Sequence, residues 1–127
     1  MADRCPCLSG ESLENCCGRY LNAGQNAPTA ERLMRSRFTA FAVGDTDYLL
    51  RTWHPSTRPS SLELDSGISW TRLDLLDRRR GGLLDVDGEV EFEAHFRHGS
   101  QRGSQHERST FVRENGEWFY LREAATA

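Results

Sequence analysis

The sequence predicts an α+β domain, and three observations carry that reading. Apolar residues recur mostly at three- and four-residue steps through Ala30, Leu33, Met34, Phe38, Phe41 and Ala42, the spacing that builds one buried helix face. From Ser69 onward the period falls to two. It is clearest where Val90, Phe92, Ala94 and Phe96 alternate with Glu91, Glu93, His95 and Arg97, as in a strand with one wet face. Asn115-Gly116 then separates two short strand-like runs, and that dipeptide suits the positive φ angles of a two-residue hairpin. Helices first and consecutive antiparallel strands after them make an α+β arrangement.

The chain opens on a cysteine unit over residues 4–20. All four cysteines lie here, Cys5 and Cys7 as C-x-C, Cys16 and Cys17 side by side. Thiolates are soft ligands that suit zinc, and a structural zinc site wants four of them at tetrahedral corners. A vicinal disulfide between Cys16 and Cys17 would strain the backbone. Ser9 is expected to cap about two helical turns over Glu11 to Cys17. So small a unit has almost no core, so metal binding would supply its folding free energy.

Residues 21–28 read as a linker. Thr29 is a good N-cap for the helix that follows, and Gly44 a good residue to end it. Arg32, Arg35 and Arg37 are read as lying off or beside its apolar face. Asp45 or Thr46 caps a shorter helix with Tyr48, Leu49, Leu50 and Trp53, which must end near His54 because Pro55 disfavours helical geometry before it. Ser56 to Ser61 is a loop, and Ser61 to Ser66 a possible helical turn. Strands are expected at Trp70 to Arg80, Glu89 to His98, His106 to Glu114 and Glu117 to Arg122, with Gly99 to Gln105 a polar loop. A sheet of about four strands curling over the helices leaves a hollow at its open end, where a ligand would go.

Composition narrows the partners. The chain has 127 residues and a formal net charge of −3, which argues against a generic nucleic-acid or anionic-membrane partner. No apolar run approaches the roughly 20 residues of a membrane-spanning helix. Met1-Ala2-Asp3-Arg4 lacks the apolar stretch of a signal peptide, so the cytosol is the expected compartment. There, clustered cysteines read as metal ligands. Glu91, Glu93, His95 and Arg97 on the outer sheet face imply a monomer or a weak homodimer.

Candidate chemistry beyond the cysteines rests on single residues. Alternation puts Glu107, Ser109 and Phe111 on one strand face, and Phe111 marks that face as the inner one. Glu107 is therefore the leading acid/base candidate, unless it forms a buried pair with Arg35 that fixes helix against sheet. His54 is a second proton carrier by its near-neutral pKa, or else a helix-end histidine. The expected ligand-binding residues are Arg35, Tyr48, Trp53, Ser109, Trp118 and Tyr120, with core packing the competing reading for Trp118 and Tyr120. At helical spacing Arg35 and Arg37 point about 200° apart and do not readily serve one pocket.

These residues also carry a resemblance. Cys5-Pro6-Cys7, Ser9-Gly10 and Cys16-Cys17-Gly18 resemble the SEC-C motif, a short zinc-binding unit. Pro28-Thr29-Ala30-Glu31, Leu33 to Phe38, Asp47-Tyr48-Leu49, Thr52 to Ser56, His106 to Ser109 with Phe111, and Asn115-Gly116 with Trp118 and Tyr120 are similar to the YchJ-like family. The resemblance implies a SEC-C zinc unit over residues 1–22 and a domain like nuclear transport factor 2 over residues 28–124. That fold, also called cystatin-like, is a conical, strongly curved antiparallel sheet packed on helices, often holding a pocket. The cofactor implied is one structural zinc on Cys5, Cys7, Cys16 and Cys17. The role implied is a protein partner docked through the SEC-C unit, on a cone that is scaffold or small-ligand binder. The alternative is a small-molecule enzyme of isomerase, dehydratase or hydrolase type, using Glu107 or His54. Leu8 stands where such motifs usually carry glycine, and an acidic spacer from Glu11 to Asn15 replaces the usual lysine-rich one.

Overall fold

The computed structural model describes residues 4–7, 10–22 and 24–124. Three helices, α1 (Gly18–Leu21), α2 (Ala30–Val43) and α3 (Thr46–Arg51), precede four strands. The strands are β1 (Ile68–Arg80), β2 (Asp87–His98), β3 (Gln101–Glu114) and β4 (Glu117–Glu123). They form one antiparallel sheet in the order β1-β2-β3-β4, so the α+β reading holds.

Local chemistry sets the helix ends. Thr29 Oγ1 accepts from the Arg32 N–H at 3.2 Å, and Gly44 closes α2 in the left-handed conformation at φ 80°. Asp45 Oδ1 accepts from the Tyr48 N–H at 3.0 Å, capping α3. That helix stops at Arg51, short of His54, because the backbone then joins the sheet. The Tyr120 N–H donates to Thr52 C=O at 2.8 Å, and the His54 N–H to Tyr120 C=O at 2.7 Å.

Three expected elements differ. Glu11 to Cys17 is a run of turns; the Cys16 and Gly18 N–H groups both donate to Leu13 C=O, at 3.2 and 2.7 Å, which swings the second cysteine pair back toward the first. The expected cap, Ser9, lies outside the described residues, as does Leu8. Ser61 to Asp65 forms no helix or strand, and Ser66 enters a turn; Leu62 and Leu64 pack on the core while their neighbours face water, a period of two that was present in the sequence. Gly99 to Gln105 is mostly strand: only Gly99-Ser100 turns, and Gln101 pairs directly with His98. Gly103 makes this possible. A Cβ there would lie 2.7 Å from the Phe96 ring, so its absence lets that ring lie across the neighbouring strand.

The sheet bends at irregularities in pairing, between Trp70 and Arg72, Leu75 and Asp77, and Thr110 and Phe111. Bulges of this kind increase twist and bend a strand. The face turned to the helices buries Leu73, Val90, Phe92, Ala94, Phe111 and Trp118 against Leu33, Met34 and Phe38 of α2. The opposite face is a charged ladder, in which Arg108 reaches Glu89 at 2.6 Å, Asp77 at 3.0 Å and Glu91 at 3.3 Å.

The described part of the expected linker is strapped down rather than loose. Gln25 N–H donates to Arg19 C=O at 3.0 Å, Ala27 is buried, and Trp118 Nε1–H donates to Pro28 C=O at 3.1 Å. No helix among the described residues is long and apolar enough to cross a membrane.

Candidate functional site

Two places gather chemistry, a cysteine knuckle and a cavity. The knuckle forms because the chain start folds back on itself. Arg4 bridges to Ser12, and the Cys5 N–H donates to Glu11 C=O at 2.9 Å. Gly18 is required where it stands, since a Cβ there would lie 2.5 Å from Leu13 C=O. The result brings all four sulfurs within 4.8 Å of one another, each cysteine at most 1% exposed and none in a disulfide.

The separations suit one metal ion. Cys7 and Cys16 Sγ are 3.6 Å apart, and Cys16 and Cys17 Sγ 4.0 Å. A tetrahedron with metal–sulfur bonds of about 2.3 Å has edges of about 3.8 Å. The thiols hinder one another's ionisation. Hydrogen bonds from Cys17 and Cys7 lower the Cys5 pKa, while the contact with Cys5 raises that of Cys17. One thiolate is therefore favoured at the cost of the next, and a bound cation is what allows several together. The four-sulfur set is one that could bind a metal.

The knuckle rests on α2. Cys5 Sγ lies 3.5 Å from Thr39 Oγ1. Arg35 donates through Nη1 to Cys7 C=O at 3.2 Å and through Nε to Glu31 at 3.0 Å. A second cluster of potential ligands, Asp74, Glu93 and His95, sits on the outer sheet face. It is tied up in ion pairs, with Asp74 held by Arg72 at 2.8 Å and His95 at 2.9 Å.

The cavity lies between α2, the end of α3 and the inner face of the sheet, with a volume of about 290 Å³. Phe38, Phe41, Trp70 and Phe92 line it with ring surface. Trp70 is held edge-on by Phe96, with ring centroids 5.3 Å apart. The polar lining comes from Arg37, Trp53, Glu107, Ser109 and Tyr120, with exposed Gln105 at the rim. Trp53 and Tyr120 meet edge-on at 5.2 Å because their backbones bridge.

Arg37 is the electrostatic centre of this cavity. It is only 4% exposed, and burial pulls its pKa down to about 10. Its Nη1 donates to Leu49 C=O at 2.8 Å and Thr52 Oγ1 at 2.7 Å. The guanidinium carbon lies 4.7 Å from the Tyr120 ring centre and 5.3 Å from that of Trp53, within cation–π range. Ser109 donates to Glu107 Oε2 at 2.6 Å. Among the described residues, neither Arg37 nor Glu107 enters an ion pair within 4.0 Å. Burial raises the Tyr120 hydroxyl pKa to about 12, so it stays a donor at neutral pH.

Of the residues expected around a hollow, Trp53, Glu107, Ser109 and Tyr120 line the cavity and the others stand elsewhere. Arg35 faces the knuckle and pairs with Glu31, not Glu107, because two positions along α2 separate it from Arg37 by about 200°. Tyr48 is buried, its hydroxyl 2.7 Å from Ser36 Oγ. Trp118 is a core residue tied to Pro28. His54 is pinned outside the cavity, with Nδ1 2.7 Å from Ser56 Oγ and Nε2 2.9 Å from Glu114 Oε1. The sequence offers Arg35-Ser36-Arg37 as an anion site with a guanidinium in the cone mouth, or as a solvated face, and Arg35 is the arginine expected to bind; Arg37, read as off or beside the apolar face, is the one that lines the cavity. The signal was its position, four residues after Leu33 and four before Phe41.

Comparison with known proteins agrees with this architecture. Residues 1–19 match the SEC-C motif, and residues 29–123 match the YchJ middle NTF2-like domain. A UPF0225 protein of Streptomyces coelicolor is 53% identical over 116 residues, covering 91% of this chain and 90% of the relative. Another from Corynebacterium glutamicum is 52% identical over 120 residues, covering 94% and 95%. The solution structure of a SEC-C motif containing protein from Rhodopseudomonas palustris superposes with a TM-score of 0.83 at 34% identity, covering all of both chains. A crystal structure of a SEC-C motif containing protein from Psychrobacter arcticus gives 0.76 at 25% identity, covering 97% of this chain and 84% of that one. With a SEC-C motif and a YchJ-type NTF2-like domain in one chain, and relatives matched nearly end to end, this protein belongs to the UPF0225, or YchJ-like, family.

Proposed function

We propose that this protein is a small-ligand-binding module whose SEC-C unit is held together by one structural zinc ion. The observation that carries the ligand half is the cavity of about 290 Å³ with Arg37 and Glu107 both in its lining and not paired with each other. A purely structural cone gains little from a buried cation with unused donors, since a buried charge is costly unless it is fully hydrogen-bonded or paired. Zinc is the ion that a closed set of four thiolates selects, and four protein ligands leave it no open position for catalysis. Its role is to fold the knuckle. The SEC-C unit then presents a surface for a protein partner, and the protein works in the cytosol as a monomer or weak homodimer.

An enzymatic reading rests on one observation, the Ser109 hydroxyl directed at Glu107 Oε2, which would orient a proton-carrying carboxylate toward a bound molecule. It makes Glu107 the catalytic residue; His54, outside the cavity, has no part in it.

Ala94 is buried and lines the cavity, so Ala94→Phe fills it. Amide and indole chemical shifts of the ¹⁵N-labelled chain, recorded against a set of small aromatic fragments, are expected to move around Trp53, Trp70 and Glu107 in the wild type and not in Ala94→Phe. Equal shifts in both proteins would place binding elsewhere and defeat the proposal.

A further inference from the structure

We infer that the cavity takes a single-ring molecule that carries both an anionic group and a hydrogen-bond donor, of the class of hydroxylated aromatic carboxylates. The inference rests on the reading that the cavity binds a ligand, and it adds the polarity of that ligand.

The anionic group follows from Arg37. A guanidinium offers five N–H donors. Only Nη1 has acceptors here, Leu49 C=O and Thr52 Oγ1, and these bonds fix the plane of the fork against α3. Nε and Nη2 have no hydrogen-bond acceptor among the described residues. Neither is among the sealed polar atoms left without a partner, and Arg37, 4% exposed, lines the cavity. A fixed, planar, half-used fork beside a cavity matches a carboxylate, which accepts two parallel N–H bonds. The Trp53 Nε1–H is the one buried side-chain polar atom without a partner among the described residues, and its ring also lines the cavity. That N–H is itself shut off from solvent-sized space, so the Trp53 ring contributes aromatic wall and the Arg37 contact rather than a donor to the ligand.

The donor group follows from Glu107. Ser109 holds Oε2, and an ionised carboxylate can only accept, so whatever meets Oε1 must donate. Arg37 does not reach it, as the two charges are not within 4.0 Å of each other. Glu107 acts on Arg37 only at a distance, so a molecule between them would hydrogen-bond to both, which no direct contact among the described residues does.

Ring shape and size follow from the walls. Phe38, Phe41, Trp70 and Phe92 present aromatic surface, which favours a flat ring in stacked or edge-on contact. A volume of about 290 Å³ is at the lower limit of ordinary ligand pockets, roughly 300–1,000 Å³.

Three probes of matched shape separate the contributions: 4-hydroxybenzoate carries both groups, 4-methylbenzoate only the anion, and 4-methylphenol only the donor. Titrated into the full metal-bound chain and followed by the Trp53 and Trp70 indole resonances, 4-hydroxybenzoate is expected to bind at least about tenfold more tightly than either of the others, the ratio one charge-assisted hydrogen bond carries. Glu107→Met should abolish the preference for the hydroxyl and keep that for the carboxylate; Arg37→Met should do the reverse. If Arg37→Met fails to fold, the wild-type ratios and Glu107→Met decide the matter. Equal affinity for 4-methylphenol and 4-hydroxybenzoate would overturn the assigned polarity while leaving a ligand cavity in place. Absence of any shift with all three probes at millimolar concentration would overturn the polarity and the ligand-binding reading together.

Discussion

The cysteine knuckle and the cavity lie on two sides of one helix and manage burial in opposite ways. In the knuckle, four potential ligands converge within 4.8 Å, and every cysteine is shut off from water. In the cavity, a buried cation and a carboxylate line the same space without pairing. Helix α2 serves both. Arg35 and Thr39 meet the knuckle, while Met34, Arg37, Phe38 and Phe41 line the cavity. Convergence with no position left over is the mark of structure; separation with unused hydrogen-bonding capacity is the mark of a place that expects a visitor. On the function proposed above, a metal at the knuckle would be the scaffold and the cone would carry the recognition chemistry.

The largest effect should come from breaking the knuckle. Structural zinc contributes about 10–16 kcal/mol to the folding of small zinc units, so Cys16→Ser should release the metal and unfold the described part of residues 4–22. The strands should persist, because their ladder pairing involves no knuckle residue, although the four cysteines share one buried cluster with Phe92, Phe111 and Trp118. Hydrogen exchange read residue by residue checks this, and loss of protection in β2 and β3 would show that the two regions fold as one. A smaller effect is expected at their junction. Arg35→Met removes the bond to Cys7 C=O, worth about 1 kcal/mol. Metal release to a chelator should quicken by about fivefold, with probe affinity at the cavity unchanged. A matching loss at the cavity would mean that α2 couples the two sites.

The difference between the regions also explains what the sequence disclosed. All four cysteines lie within the first 17 residues, and the caps Thr29 and Asp45 and the Asn115-Gly116 turn act within a few residues of themselves. Chemistry of that range is written locally and can be read locally. The cavity is assembled from α2, Trp53 just beyond α3, and the four strands, so its membership depends on which side of each element turns inward. Glu107 and Ser109 were legible because strand alternation is unforgiving. Arg37 was not, because a charged residue on an apolar stripe reads as a boundary of that stripe until the aromatic rings that shelter it, Trp53 and Tyr120, are known to meet it. The Gln101 to Gln105 half of β3 was hidden for a similar reason. Its polar, glycine-containing composition describes a loop, and only the Phe96 ring lying across Gly103 shows why it is a strand.

Native mass spectrometry of gently purified protein tests the central claim most directly, because it reads metal and ligand in one spectrum. The expected wild-type mass is that of the chain with one zinc ion and, in part of the population, an additional small molecule that Ala94→Phe excludes while keeping the zinc. A chain that retains zinc, carries no added mass, and takes up none when 4-hydroxybenzoate is supplied would contradict the assignment of recognition to the cone.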